Sequence, residues 1–383
     1  MTVIPYGRQS IDAADIERVA EVLRSDWITQ GPAIERFEAL VSDYCGGAHA
    51  VAVSSGTAAL HIAAIAAGLG PGKVLWTVPN TFVASANCAR YCGAAVDFVD
   101  IDLATGNLSV DALRAKLDAG PPPDVLVPVH FAGRPCDMAA VHDLALAHGF
   151  RVIEDASHAI GARYGDHAIG GCAHSDMAVF SFHPVKIVTT AEGGMVMTRS
   201  AEVAARLRRL RSHGIDPGAA FAGDEPDGPW SYAQAELGFN YRMTDMQAAL
   251  GASQMGRIED FIARRHHLAA RYDRALAGLP LRLPDRGGEV RSALHLYVVG
   301  IDRQRTNVSR RQVFDGLVER GIRPQVHYIP VHLQPYYRDQ GFAAGQFPAA
   351  ERHYAEALSL PLFAGLTEDD QDRVVAALHE LLA

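Results

Sequence analysis

Met177-Ala178-Val179-Phe180-Ser181-Phe182-His183-Pro184-Val185-Lys186 reads as a buried strand that runs straight into a lysine. From Met177 to Ser181 apolar residues alternate with small ones, as in a short buried strand. His183-Pro184 then stops the sheet and places Lys186 in the connection that follows. A lysine at such a place either snorkels out to water or has a lowered pKa. In the second case the amine loses its proton near neutral pH and can attack a carbonyl to form a Schiff base.

Upstream, strand and helix patterns alternate. His49 to Val53, Val74 to Val78, Ala95 to Val99, Val125 to Val129 and Arg151 to Ile153 read as strands; Thr57 to Ala64, Phe82 to Cys92, Val110 to Leu117 and Met138 to His148 read as helices. Near-continuous apolar strands in this alternation predict an α/β fold: a large, mainly parallel sheet with helices on both faces. Ligands of such sheets sit beyond the carboxyl ends of the strands, where Ser55-Gly56-Thr57, Phe82, Asp155 and Lys186 would converge. Ser54-Ser55-Gly56-Thr57, between a strand and a helix, is either a phosphate cradle or an ordinary helix cap. Asp155, at a buried strand end, needs a cationic partner, which a magnesium ion, an arginine or a protonated pyridine ring would each supply. A Schiff-base lysine with an acidic partner for a pyridinium nitrogen is the binding logic of pyridoxal phosphate. Thr57 and Ser181 would then hold the phosphate, and Phe82 would stack on the ring.

At 383 residues the chain suggests two domains at about 150 residues each or one large domain with a smaller one appended. We place the large one at residues 1–250 and the smaller, with a long linking helix, at 251–383. A composition of 49% hydrophobic and 21% charged residues is that of an ordinary soluble protein. The net charge of -9 gives no footprint for nucleic acid or an anionic membrane. No apolar run approaches the ~20 residues that span a bilayer, and the N-terminus has no signal pattern, so a cytoplasmic location is expected. Five scattered cysteines without a C-x-x-C pair argue against a disulfide framework or a zinc knuckle. His327 and His332 come closest to an arranged pair among the histidines, but no metal-binding spacing is present and no metal is expected.

Near the N-terminus, Asp12 can cap a helix with Ile16, Val19 and Leu23 on one side. Its flanking loops, Pro5-Tyr6-Gly7-Arg8-Gln9 and Trp27-Ile28-Thr29-Gln30-Gly31-Pro32, are either surface turns or one wall of a polar ligand site. After Gly194, a strand leads to an arginine-rich helix, Glu202 to Arg211, read as a solvated face, and Asp216 to Pro229 reads as a long exposed loop. Thr244 and Gln247 have capping-box spacing and open a helical region reaching about Leu279. Leu294 to Ile301 and Ile322 to Val326 as strands, with helices capped by Ser309 and Thr367, make a smaller α/β unit. His327 and Tyr328 follow one of its strands, where they would either close over substrate or pack in the core or a dimer.

Six motifs in order, Ser55-Gly56-Thr57-Ala58-Ala59, Thr81 to Asn87, Glu154 to Ala159, Ser181 to Lys186, Glu192-Gly193-Gly194 and Gly238 to Thr244, resemble the DegT/StrS family of sugar-nucleotide aminotransferases. The resemblance runs essentially end to end and implies a pyridoxal-phosphate-dependent transferase of fold type I, with pyridoxamine phosphate as its intermediate form. It implies that Lys186 joins the cofactor, Asp155 pairs the ring nitrogen, Phe82 covers the ring, His158 lies near the ring's phenolic oxygen, and Gly56, Thr57 and Ser181 hold the phosphate. Asn240 would reach the phosphate of a neighbouring subunit, so that a homodimer shares its active sites. Ile4 to Ile11, Ser25 to Pro32 and Gln325 to His332 look like members of the family in the pseudaminic-acid pathway. That likeness implies a UDP-linked 4-keto-6-deoxy-N-acetyl sugar aminated at C4 with glutamate as donor, and puts substrate contacts at Tyr6, Arg8, Trp27, Thr29, Gln30, His327 and Tyr328. Ile187 and Ala191 depart from residues common in the family, in the loop around the lysine, without removing a catalytic group.

Overall fold

Seven strands form the central sheet of the computed structural model, which describes residues 3–216, 228 and 230–382. Their order is His49–Val53, Gly194–Thr198, Met177–Ser181, Arg151–Asp155, Val125–Val127, Val74–Thr77, Ala95–Phe98. Gly194–Thr198 runs antiparallel to both its neighbours, and the other pairings are parallel. Alternate side chains serve opposite faces, which is why these strands are apolar throughout. Val51, Val53, Val127, Ile153, Val179 and Val196 pack with the helices Gly56–Ala66 and Ala201–Leu210. Ala50, Ala52, Ala178 and Phe180 face the opposite way, toward Phe37 and Val41 of the helix Pro32–Tyr44 and Ile258 and Ile262 of the helix Ile258–Leu276.

The sequence gives no warning of the Pro32–Tyr44 helix, because Pro32 ends a loop-like run. Proline is tolerated in a first helical turn, and Ile34, Phe37, Glu38 and Val41 then fall on one buried stripe. Glu38 has a second task at the sheet's edge strand, where its Oε1 accepts from the Ala52 N–H at 2.8 Å and lies 2.6 Å from Arg211 Nη1. The arginine-rich helix is therefore not a solvated face: Arg211 ties it to the sheet, and Arg206 and Arg209 pair with Glu236. The helical region after Thr244 has the expected capping box but is two helices, Asp245–Met255 and Ile258–Leu276, interrupted at Gly256-Arg257. Of the expected loop from Asp216 to Pro229, residues 217–227 and Pro229 lie outside the described residues.

A second, three-stranded antiparallel sheet has the order Leu281–Arg282, Tyr297–Ile301, Ala357–Leu360. Its core draws on Tyr272, Val313, Leu317, Val374 and Leu378 of three helices. Ile4–Pro5 pairs in parallel with Ile322–Arg323, so the start of the chain lies against this unit. Among the described residues no helix is long and apolar enough to cross a membrane.

Register brings the motifs to one edge. Gly194 stands opposite Val53 on one side and Ser181 on the other, and Asp155 stands opposite Val179. A Cβ on Gly194 would come within 2.3 Å of the Ser55 carbonyl oxygen and 2.7 Å of Gly56 N, against backbone that cannot swing away. Gly194→Ala should therefore lower unfolding stability by about 2–3 kcal/mol in denaturant melts. Gly70→Ala, whose Cβ would meet nothing within 4 Å, should change it by no more than about 0.5 kcal/mol.

Candidate active site

A cavity of about 650 Å³ opens at this edge of the sheet and is lined by ten of the sequence-predicted residues: Tyr6, Gly56, Thr57, Phe82, Asp155, His158, Ser181, Lys186, His327 and Tyr328. Its size suits a small-molecule site.

One end of the cavity is built to hold an anion. Ser55 caps the Gly56–Ala66 helix by accepting from Ala58 N at 3.1 Å, which leaves the N–H groups of Gly56 and Thr57 at the helix's positive end. A Cβ on Gly56 would lie 2.9 Å from Ser181 Cβ and 3.2 Å from its hydroxyl, so only glycine lets the helix start this close to Ser181. Backbone donors and the hydroxyls of Thr57 and Ser181 thus gather at one spot, the chemistry that binds a phosphate.

The opposite charge sits deeper. Asp155 is 5% exposed; its Oδ2 accepts from Ser85 Oγ at 2.6 Å and its Oδ1 from Ser157 N at 3.1 Å. Ser85 is fixed in turn by Thr81, at 2.7 Å between the hydroxyls. Two donors orient the carboxylate without neutralising it, and leave it able to take a cationic N–H from the cavity.

Lys186 is one of three lysines in the chain. Lys73 pairs with Asp124 at 2.8 Å and Lys116 with Asp97 at 2.6 Å. Lys186 keeps some surface toward the cavity, but the protein packed around it desolvates its amine. Burial pulls its pKa down to about 8, against the opposing pull of the Asp155 charge. Of the two readings open from the sequence, the structure takes the desolvated one.

The far wall comes from the second unit. Tyr328 N lies 3.4 Å from Asn80 Oδ1 and Val331 N donates to the Pro79 carbonyl at 2.9 Å, which docks this loop on the segment carrying Phe82. The Tyr328 hydroxyl is 3.2 Å from His158 Nε2, and burial raises its pKa. His327 bonds Ser359 Oγ through Nδ1 at 2.7 Å and packs edge-on against Tyr6. Burial, then the charge of Lys186, pulls His327 down to about 3, so it is neutral. His332 faces Glu351 instead, and the two histidines share no partner. Phe82 is 58% exposed, with its ring 6.3 Å from that of Tyr328.

Arg8, Trp27, Thr29, Gln30 and Asn240 do not line this cavity and lie exposed. Thr29 bridges to Thr244, and Asp245 accepts from the N–H groups of Gly31 at 2.8 Å and Ala33 at 3.0 Å, which ties this loop to the start of the helix Asp245–Met255. Asn240 bridges to Ser212. Sequence reasoning missed Ser85, Ser157 and His295. Ser85 was legible in principle, four residues after Thr81 at the start of a helix; His295 had no signal.

Residues 9–379 match the DegT/DnrJ/EryC1/StrS aminotransferase family. The chain belongs to that family. It is 38% identical over 382 residues to the spore coat polysaccharide biosynthesis protein SpsC of Bacillus subtilis (strain 168), covering 99% of this chain and 97% of SpsC. Among solved structures it is similar to Helicobacter pylori PseC, described as an aminotransferase involved in the biosynthesis of pseudoaminic acid, with a TM-score of 0.90 and 28% identity over 100% of this chain and 99% of that one. Spr1654 of Streptococcus pneumoniae, solved in its PMP form, matches with a TM-score of 0.90 and 28% identity over 99% of this chain and 98% of its own. These neighbours share the fold expected from the motifs, the α/β architecture of fold type I pyridoxal-phosphate enzymes.

The depressed Lys186 pKa has a direct readout. In the cofactor-free chain, competitive acylation followed by peptide mass spectrometry should show Lys186 gaining reactivity through a midpoint near pH 8. An exposed lysine should do so near its ordinary value of about 10.4.

Proposed function

We propose that this chain moves an amino group from an amino acid, glutamate, to C4 of a UDP-linked 4-keto-6-deoxy-N-acetyl hexose, as a step of pseudaminic acid (nonulosonate) biosynthesis for cell-surface glycans. The observation that carries the reading is the meeting, in one cavity, of a desolvated lysine, an oriented carboxylate and an anion cradle. The cofactor is pyridoxal phosphate. The residues present fit it: Gly56, Thr57 and Ser181 suit its phosphate, Asp155 suits a protonated ring nitrogen, and Phe82 and His158 flank the space between. When bound, it supplies an electron-withdrawing ring that stabilises the charge left on carbon as a neighbouring C–H gives up its proton.

The chain's own residues do the rest. Lys186 Nζ, neutral above about pH 8, takes the proton from the donor's α-carbon and delivers a proton at C4 of the keto-sugar. Asp155 keeps the ring nitrogen protonated, with Ser85 and Ser157 fixing its angle. Tyr6, His327 and Tyr328 close the substrate side and exclude water. Residues 1–250 carry the cofactor and supply Tyr6, and 251–383 supply His327 and Tyr328 of this wall. Arg8, Trp27, Thr29, Gln30 and Asn240 act in a homodimer, where each copy's exposed loops complete the other's site. The exposure of Trp27 at 57%, Ile28 at 51% and Leu237 at 79% supports a covered surface there. The enzyme works in the cytoplasm.

A second reading is amination of another nucleotide keto-sugar, of the perosamine or 4-amino-arabinose type; SpsC, at 38% identity, is named for spore coat polysaccharide biosynthesis and not for pseudaminic acid. Incubating the purified chain with glutamate and a panel of nucleotide keto-sugars separates the two. We expect turnover of the UDP-linked N-acetyl sugar; turnover of non-acetylated sugars alone would select the second reading. Lys186→Ala should lower turnover by about a thousandfold or more while leaving the fold intact by circular dichroism. Ser85→Ala removes a donor to a charged group and should weaken cofactor binding about tenfold to a hundredfold in an absorbance titration.

A further inference from the structure

His295 lies just before the strand Tyr297–Ile301, outside the central sheet, yet it lines the same cavity as Lys186. Its side chain is 4% exposed, and its ring centroid is 4.4 Å from that of His158. Three separate features fix it there. Leu294 adopts φ +51°, a left-handed conformation strained for a branched side chain. Gly133, at φ +91°, packs so tightly that a Cβ would lie 2.8 Å from the His158 carbonyl oxygen, 3.0 Å from Leu294 N and 3.1 Å from His295 N. Arg265, 2% exposed and with no carboxylate partner among the described residues, donates from Nη1 to the carbonyl oxygens of Leu294 at 3.2 Å, His295 at 3.1 Å and Leu362 at 2.9 Å.

A buried guanidinium with only carbonyl partners and a left-handed leucine are both unfavourable, so their coincidence at one residue points to a placement that serves the site. The charged and titratable groups around His158 are Lys186, His295, His327 and Tyr328, with Asp155 three residues earlier; Arg265 is added around His295. Burial first, and then repulsion from Lys186 and the neighbouring imidazoles, with Arg265 added at His295, hold both rings well below their ordinary pKa. Two rings this close, beside two cations, cannot both carry charge.

We propose that His295 is a positioning residue: its backbone, fixed by Arg265 and Gly133, sets its ring against His158 and holds that imidazole in place at the cavity wall beside Lys186. The consequence for turnover rests on the amino-transfer reading. A neutral, immobile His158 keeps its Nε2 on the Tyr328 hydroxyl and adds no positive charge next to Lys186 as that amine gains and loses its proton.

Two variants test this. His295→Ala removes the ring, and His295→Phe keeps a ring and loses the nitrogens; His295→Leu replaces the first if alanine prevents folding. In the holoenzyme His295→Ala should admit water to His158, which then titrates near the ordinary imidazole value. We expect kcat to fall about tenfold, KM for the amino donor to stay within about twofold, and an acid limb near pH 6 to enter the kcat profile. His295→Phe should stay within about threefold of the parent with its profile unchanged. In the cofactor-free chain, acylation of Lys186 should shift its midpoint upward from about 8 in His295→Ala and leave it in place in His295→Phe. This labelling needs neither cofactor nor substrate, so it reports on the cluster even where the keto-sugar reading fails. An unchanged pH profile and labelling midpoint in His295→Ala would overturn the proposal. So would a His295→Phe chain as impaired as His295→Ala, since a nitrogen rather than the ring would then be what matters.

Discussion

Keeping one amine out of water while an unneutralised carboxylate lies in the same cavity is the constraint on which the rest of the structure depends. Desolvation pulls Lys186 toward neutrality and the Asp155 charge pulls it back, leaving a pKa of about 8, within reach of both protonation states near neutral pH. Neither group could hold this balance on a surface loop, where water would screen the one and solvate the other. The sheet supplies the setting: Asp155 ends a strand buried on both faces, and Lys186 follows the neighbouring strand by a turn anchored through Lys186 N to the His183 carbonyl and Thr190 N to the Phe182 carbonyl.

The antiparallel strand Gly194–Thr198 explains the compactness of the anion cradle. It sits between His49–Val53 and Met177–Ser181, so Gly194 must pass beneath Ser55 and Gly56 while Gly56 presses on Ser181. Glycine at both places lets backbone donors and hydroxyls gather without a side chain between them. The cavity's other side belongs to a different sheet and core, joined through Arg265, Gly133 and the loop that docks on Pro79 and Asn80. The two sides of the cavity thereby belong to parts of the chain with separate cores, which can vary separately.

Much of this was legible in the letters. Period-two apolar runs bounded by Gly, Pro and Ser marked the strands, and Ser-Gly-Thr at a strand-to-helix junction, Glu154-Asp155 and the lone Lys186 marked the edge where they converge. Asn240 came only from resemblance, while Arg8, Trp27, Thr29 and Gln30 stood out in polar loops, either surface turns or the wall of a site; a single chain brings none of them to the cavity. What escaped was tertiary in origin. The Pro32–Tyr44 helix hid behind a proline acceptable only in a first turn, and the arginines of Ala201–Leu210 and its C-cap Arg211 looked solvated because their partners Glu236 and Glu38 are distant in sequence. His295 is a single letter between a left-handed leucine and a strand, and nothing local tells that a buried arginine thirty residues earlier holds it against His158.

The scarcity of lysine makes the role of Lys186 open to a clean measurement. Lys73 and Lys116 are the other two candidates for any amine chemistry, and both are held in ion pairs away from the cavity. Borohydride reduction of the cofactor-loaded chain followed by peptide mapping distinguishes the three directly. One added cofactor mass is expected, on the peptide containing Lys186; label on Lys73 or Lys116, or none at all, would rule out Lys186 as the amine that joins the cofactor.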